Sequence, residues 1–257
     1  MGPLVTGTFV LVFWYNKHMK DSISQWNKLS KEFDTKNKDS ISANVADNIL
    51  FAYQPIISLI KKHFSQPTGL NALDYGCGTG DFCNALLPFG FNVTGVDFSP
   101  EMIKVARQNS KAKFILGDIE KISELNDLDL ITAIMVFQFI ENIEESLKIL
   151  TQKLKKNGLL AFAVHSPEYV TNCLKYHIRF DDFDSDENPT KGVIKINNEE
   201  SIPIYIRKAE EYNRILLSLG FKNIMEQYPP FTKEFLQKYP KKGPTDKPEF
   251  MILSYSR

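Results

Sequence analysis

From Leu70 onward the chain alternates between two hydrophobic periods. Apolar, β-prone runs fall at Leu70–Tyr75, Asn92–Phe98, Lys113–Gly117, Leu128–Val136 and Leu159–His165. Between them lie Asp81–Pro88, Pro100–Asn109 and Ile143–Lys156, whose apolar residues recur at helical spacing. In the last of these, Ile143, Leu147, Leu150 and Leu154 form one stripe. Glu144 and Glu145 stand early, Lys153, Lys155 and Lys156 late, and Gly158 just beyond offers a left-handed cap. Strands that are hydrophobic on nearly every residue and separated by helices require a parallel sheet covered on both faces. The pattern therefore predicts a doubly wound α/β domain with its ligand beyond the carboxyl ends of the strands.

The flanks complete this picture. Asn44–His63 reads as a helix, preceded by a polar segment over Trp26–Ser42. After the fifth strand the alternation breaks: residues 166–206 hold an acidic run, Asp181–Glu187, then two short alternating runs, Val193–Ile196 and Ile202–Ile206. These predict a hairpin inserted as a small cap. A helix over Arg207–Leu219 closed by Gly220 follows, and Phe221–Tyr228 and Phe250–Tyr255 supply two more strands, for seven in the main sheet. No internal repeat or low-complexity tract interrupts the order.

A chain of 257 residues, 43% apolar and 24% charged, fits one domain over residues 20–257 with the cap at about 166–206. Lysine plus arginine equal aspartate plus glutamate at 31 each, so no overall field would draw the protein to nucleic acid or an anionic membrane. Cys77, Cys83 and Cys173 are an odd number without metal-ligand spacing, which predicts no metal site and a reducing, cytoplasmic setting. Leu4–Tyr15 is apolar but too short to span a bilayer, and it lacks a basic leader. His18-Met19 reads as a junction between vector-derived residues and a start codon, so residues 1–19 are set apart from the fold.

Three signals then fall at the ends of three consecutive strands. In Leu73-Asp74-Tyr75-Gly76-Cys77-Gly78-Thr79-Gly80, glycines at alternate positions let the backbone turn sharply and approach a ligand. A dinucleotide fingerprint has G-x-G-x-x-G spacing and places pyrophosphate at the helix N-terminus. Here the spacing is G-x-G-x-G with Asp81 next, and Asp74 and Asp81 favour a ligand carrying an ammonium and a sulfonium over a pyrophosphate. Asp97, at the end of Gly95-Val96-Asp97-Phe98-Ser99, stands where a carboxylate accepts from both ribose hydroxyls; it equally suits a helix N-cap ahead of Pro100. Phe98 would sit beside an adenine. Asp118, in Leu116-Gly117-Asp118-Ile119, could accept from the adenine amino group, with Ile119 offering an amide and an apolar face; a plain turn explains the same residues.

LDYGCGTG, GVDFSPEM and LGDI, in this order and spacing, resemble motifs I, II and III of class I S-adenosylmethionine-dependent methyltransferases, including the small-molecule branch. The resemblance runs from about Phe33 to Tyr255. It implies S-adenosyl-L-methionine as cofactor and a seven-stranded, mostly parallel sheet with an antiparallel last strand. By position, Asp74, Gly76, Cys77, Gly78 and Gly80 would surround the methionine moiety, Asp97 and Phe98 the nucleoside, and Asp118 with Ile119 the adenine. The segment Met135–Phe139 would line the methyl donor, and where many relatives have a histidine pair this chain has Phe137-Gln138-Phe139.

Methyl transfer from a sulfonium is an in-line displacement that needs alignment and water exclusion, with a base optional. His165, at the end of the fifth strand, is the candidate catalytic group. Gln138, Glu168, Tyr169, Tyr205 and Arg207 are candidates for contact with a small-molecule acceptor, nitrogen or oxygen, and His177 lies in the cap. The acidic run Asp181–Glu187 suits either a cationic acceptor or a solvated loop. Three rivals share parts of this reading. A nucleic-acid methyltransferase needs a basic tracking surface and often an Asn/Asp-Pro-Pro-aromatic loop after the fourth strand, where this chain has Ala133-Ile134-Met135-Val136. Tyr228-Pro229-Pro230-Phe231 follows the sixth strand instead. A non-catalytic cofactor-binding regulator and an NAD-dependent oxidoreductase are the others.

Overall fold

The computed structural model describes residues 22–34, 48–184, 189–197, 199–241 and 244–257. The segment 1–19, read above as vector-derived, lies outside them, as do residues 35–47.

Seven strands form the main sheet: β1 (Asn71–Tyr75), β2 (Asn92–Asp97), β3 (Lys113–Leu116), β4 (Leu128–Ile134), β5 (Leu154–His165), β9 (Lys222–Gln227) and β10 (Phe250–Ser256). Their order is β3-β2-β1-β4-β5-β10-β9. All neighbours run parallel except β10, which pairs antiparallel with both β5 and β9. The expected antiparallel last strand is thus present, inserted between β5 and β9. The order reverses between β1 and β4, so a crevice opens where their carboxyl ends part.

The helices of this layer are α2 (Gln54–His63), α3 (Asp81–Leu86), α4 (Pro100–Asn109), α5 (Ile143–Gln152) and α7 (Ala209–Ser218), with α1 over residues 22–29 and α6 (Pro167–Lys175) between β5 and the cap. A six-residue π-helical turn, Asn48–Tyr53, precedes α2 within the segment expected to be one helix. Strand residues alternate strictly between the two covered faces. Leu73, Ile131, Leu160 and Leu253 meet α5 and α7 through Leu147, Leu150, Tyr212 and Ile215. Ala72, Leu130, Leu159 and Ile252 meet α2, α3 and α4 through Ile56, Phe82, Ile103 and Ala106. Burial on both faces explains why the strands read as continuous apolar runs.

Two boundaries differ from the sequence reading. The helix expected to reach Lys156 ends at Gln152, and Leu154 opens β5 opposite Leu128. The lysines beyond it belong to the strand: Lys155 reaches Asp129 at 2.9 Å. Asn157, at φ 65°, takes the left-handed position expected of Gly158, whereas a Cβ on Gly158 would lie 2.9 Å from Leu154 Cδ2 and 3.3 Å from the Asp129 carbonyl.

The second difference is the cap, a three-stranded antiparallel sheet rather than a hairpin. Its strands are β6 (Phe180–Asp184), β7 (Thr190–Lys195) and β8 (Ser201–Ile206). Half of the acidic run is therefore strand: Asp181 pairs with Lys195, and a register shift with Asp182 at φ 54° accommodates the unalternating sequence. Residues 185–188 lie outside the described residues. The cap has its own core, with Tyr169, Val170 and Cys173 of α6 against Phe180, Ile194, Ile202 and Ile204. Helix α1 ties cap to sheet: Gln25 donates to the Ser201 carbonyl at 2.8 Å, Lys28 pairs with Glu200 at 2.6 Å, and Asn27 accepts from the Ser99 hydroxyl at 2.7 Å. After Tyr228-Pro229-Pro230-Phe231 comes a short helix, α8 (Lys233–Lys238), which brings Phe235 onto Phe231 and Phe51. Among the described residues no helix is long and apolar enough to cross a membrane.

Candidate active site

The turn from β1 into α3 is built on three glycines in the left-handed region, Gly76 at φ 68°, Gly78 at φ 50° and Gly80 at φ 83°. Each meets a different surrounding. A Cβ on Gly76 would lie 2.9 Å from Val136 Cγ1 and closer still to Cγ2, so the turn packs directly against the segment after β4. A Cβ on Gly80 would come within 3.0 Å of the Phe114 ring. At Gly78 the nearest atom would be Met102 Sδ at 4.0 Å, so there the backbone faces open space.

Asp97, at the end of β2, closes this turn. Its Oδ2 accepts from the Gly78 N–H at 2.9 Å and its Oδ1 from the Ser99 N–H at 2.8 Å. The cap of α4 is Ser99, whose hydroxyl oxygen accepts from Met102 N–H at 3.2 Å. Burial pushes the Asp97 carboxyl up to about 6, although the two N–H groups oppose it. Asp74 lies deeper, 2% exposed, accepting from the Thr132 hydroxyl at 2.8 Å and the Cys83 thiol at 3.4 Å. Burial raises it to about 7 against those bonds. Asp118 uses one oxygen twice: Oδ1 accepts from the Tyr75 hydroxyl at 2.6 Å and from the Ile119 N–H at 2.7 Å. Tyr75 is not singled out by the sequence reading; its signal is a phenol on the last residue of β1, at the edge of the glycine turn.

These residues line one end of a cavity of about 830 Å³, together with Cys77, Phe98, Ile119 and Met135. Gly80 supports the turn from behind. Met135 sits at φ 59°, a strained position for a side chain larger than glycine, held by its N–H donating to the Ala163 carbonyl at 2.8 Å.

The other end of the cavity lies under the cap, walled by Trp26, Phe139, Ile194, Ile202, Pro203 and Tyr205. Between the two ends Phe137–Phe139 forms one 3₁₀ turn. Three residues per turn send three side chains in three directions. Phe137 enters the core against Phe162 at 4.9 Å, Phe139 meets Trp26 at 5.2 Å, and Gln138 lines the cavity. Arg207 fixes this turn, donating to the Phe137 and Glu141 carbonyls at 3.4 and 2.5 Å while its Nε pairs with Glu211 at 3.0 Å. Sequence alone gave Arg207 as an acceptor contact; it is 2% exposed and holds the loop instead of lining the cavity.

His165 does line the cavity, but burial drives its imidazole down to about 3, with Arg179 and Lys241 adding to that and Glu249 opposing it. A ring that stays neutral at any working pH is a poor proton acceptor, so a general-base role does not suit it. Its Nδ1 stands 3.9 Å from Glu249 Oε1, beyond hydrogen-bond range. Glu168 is exposed and paired with Lys247 at 3.0 Å, Tyr169 is in the cap core, and His177 occupies a turn at φ 52°; none of the three lines the cavity. The three cysteines are free and buried, and among the described residues no cluster of histidine, cysteine and carboxylate is arranged for a metal ion.

A family model described as "Methyltransferase domain" matches residues 67–216. The chain is 33% identical over 119 residues to a malonyl-[acyl-carrier protein] O-methyltransferase of Bacillus cereus, covering 44% of this chain and 44% of that protein. It is 27% identical over 145 residues to a ubiquinone biosynthesis O-methyltransferase of Rickettsia bellii, covering 54% and 60%. The chain thus spans about half the length of the curated relatives it matches. Among solved structures, an S-adenosylmethionine-dependent methyltransferase from Mesorhizobium loti superposes with a TM-score of 0.60 at 19% identity, over 80% of this chain and 98% of that one, which is a likeness of fold.

Proposed function

The chain belongs to the Methyltransferase domain family, and from that premise we propose that it transfers the methyl group of S-adenosylmethionine to an oxygen of a small molecule held under the cap. The observation that carries this reading is the single cavity joining the glycine turn to the cap lobe, which lets a nucleoside-bearing donor and an apolar acceptor meet end to end. Oxygen is favoured over nitrogen because the sequence relatives are named for O-methylation.

The residues present fit the donor. Gly78 offers an open floor, and burial raises the Asp74 and Asp97 carboxyls, a shift that a cationic ligand beside them would oppose. Gly76, Cys77 and Gly78 would lie along the methionine part with Gly80 supporting the turn behind them, Asp97 and Phe98 along the ribose, and Asp118 with Ile119 against the adenine. When bound, S-adenosylmethionine supplies an already activated methyl group. The chain's own work is alignment and the exclusion of water: Met135 and the Phe137–Phe139 turn form the wall between the two lobes, and α1 with the cap closes the far side. His165 contributes a neutral polar edge. An acceptor oxygen that ionises by its own acidity, as a phenol, carboxylic acid or enol does, suits a site whose histidine is no base.

Calorimetric titration with S-adenosylmethionine, followed by mass spectrometry of acceptor panels of phenols, carboxylic acids and enols, tests the proposal. Absence of both binding and a methylated product would remove it.

A pH dependence follows from the two acids. A bound cation favours their charged forms, so binding should release protons between about pH 5 and 7, and affinity should rise with pH across that window. The gain is roughly tenfold for each pKa unit the cation removes. S-adenosylhomocysteine, lacking the sulfonium, should show a shallower dependence. Without ligand the sign for stability is opposite. Both folded-state values lie above the ordinary 3.8, so this contribution is complete below 3.8 and is lost as pH rises through about 6 and 7. Titrations in buffers of different ionisation enthalpy check the proton count, and a pH-independent affinity would contradict it.

A further inference from the structure

The side-chain amide of Gln138 leaves both its nitrogen and its oxygen without a hydrogen-bond partner, although the residue is 1% exposed. Burying one unpaired amide group is costly, and native proteins pair the large majority of such groups. Gln138 lies on the cavity wall where the cofactor end gives way to the cap lobe. Its backbone cannot drift to find other partners, because Arg207 holds the carbonyls of Phe137 and Glu141 on either side. Trp26, Phe139, Ile194, Ile202 and Pro203 give the cap lobe its apolar wall, and Glu141, Arg179 and Glu249 are polar members of the same lining. A fixed carboxamide presents one donor and one acceptor side by side in a plane.

We infer that Gln138 selects the acceptor, pairing with a head group that carries a hydrogen-bond donor and acceptor on neighbouring atoms, as an amide, a protonated carboxyl or an enol beside a carbonyl does, at the end of an apolar body. The inference rests on the reading of the cap lobe as the acceptor site. Nδ1 of the neutral His165, also buried and without a partner on the same cavity, supplies a second polar contact for that head group.

The test uses three aromatic probes of nearly one shape: benzamide, with donor and acceptor, acetophenone, with an acceptor alone, and isopropylbenzene, with neither. Trp26 in the cavity wall reports binding to protein saturated with S-adenosylhomocysteine, and a Trp14→Phe background leaves it the sole indole of the chain's two. Wild-type protein should prefer benzamide to acetophenone by about tenfold, the consequence of leaving a buried polar partner unmatched. Gln138→Met, close in shape and without the amide, should shrink that preference to about twofold or less. The same variant should bind S-adenosylhomocysteine as the wild type does and melt at a higher temperature when free of ligand, because an unmatched buried amide is gone. A variant that keeps the preference, binds the cofactor product more weakly in step with the probes, or melts lower would overturn the assignment. Failure of the methyl-transfer reading would look different: no heat with S-adenosylhomocysteine in the wild type, whatever the probes do.

Discussion

Replacing Glu249 with alanine is expected to lower the thermal midpoint by roughly 10 °C, from a stability loss of about 3–5 kcal/mol. Glu249 precedes β10, 2% exposed, and holds Arg179 at 3.0 Å through Oε1 and Lys241 through Oε2. Burial works against the charged carboxylate, yet the Arg179 and Lys241 cations outweigh it and hold the group well below its ordinary value. Removing the carboxylate leaves two cations in place with only 23% and 7% of their side chains exposed. The backbone has no reason to move, since the Glu249 carbonyl still accepts from Ser166 N–H at 2.8 Å and Phe250 still pairs with His165. Arg179 leads into β6, so the loss should be felt first where the cap meets the sheet. Glu249→Gln keeps the shape and loses the charge, and should fall between. The pH sign is the reverse of that for Asp74: a depressed carboxylate contributes above its ordinary 4.5, and the contribution is lost as pH falls through the lower folded-state value. Thermal melts of the three proteins at pH 7 and about pH 3 decide the matter, with the difference shrinking at the lower pH, and an alanine variant melting within about 1 °C of wild type at pH 7 would refute the buried counter-charge.

What could be read from the sequence, and what could not, divides along one physical line. Features fixed by local period or by a single turn were legible: five parallel strands, the glycine turn and the acids ending β2 and β3. Features set by distant partners were not. Leu154 satisfies the helical stripe of α5 and also the first position of β5, and only its pairing with Leu128 decides for the strand. Phe-Asp-Asp-Phe-Asp does not alternate, and it becomes β6 because β7 offers the pairing and Gly192 makes room for Phe183, whose ring a Cβ there would strike. Tyr75 and Arg207 are polar residues whose meaning lies in Asp118, Phe137 and Glu141, 43, 70 and 66 positions away. His165 reads as the candidate catalytic group because it ends a strand whose carboxyl edge faces the ligand, and one dimension does not separate that role from that of a buried core histidine, the depth at which the ring lies.

Gly76→Ala should cost about 3–5 kcal/mol and abolish measurable cofactor binding, and the two parts of that cost can be separated. One part is the dihedral. Gly69 at φ +82° and Gly220 at φ +84° have nothing within 4 Å of a built Cβ, so alanine at either carries the left-handed penalty alone, about 1–2 kcal/mol. The other part is contact. At Gly76 the new methyl would press on both methyls of Val136, a β-branched side chain with little rotamer freedom to yield. Movement of Val136 passes to its neighbours: Met135, already strained at φ 59°, and the 3₁₀ turn that begins at Phe137. The disturbance therefore travels along the wall between the two lobes of the cavity. Gly76→Ala combined with Val136→Ala removes the collision but leaves the dihedral, and should recover stability to about the level of Gly220→Ala. Denaturant unfolding of these four variants, with S-adenosylmethionine titrations alongside, separates the terms. If Gly76→Ala proved no less stable than Gly220→Ala and bound the cofactor normally, the close packing of the turn against the segment after β4 would not be what holds the site in shape.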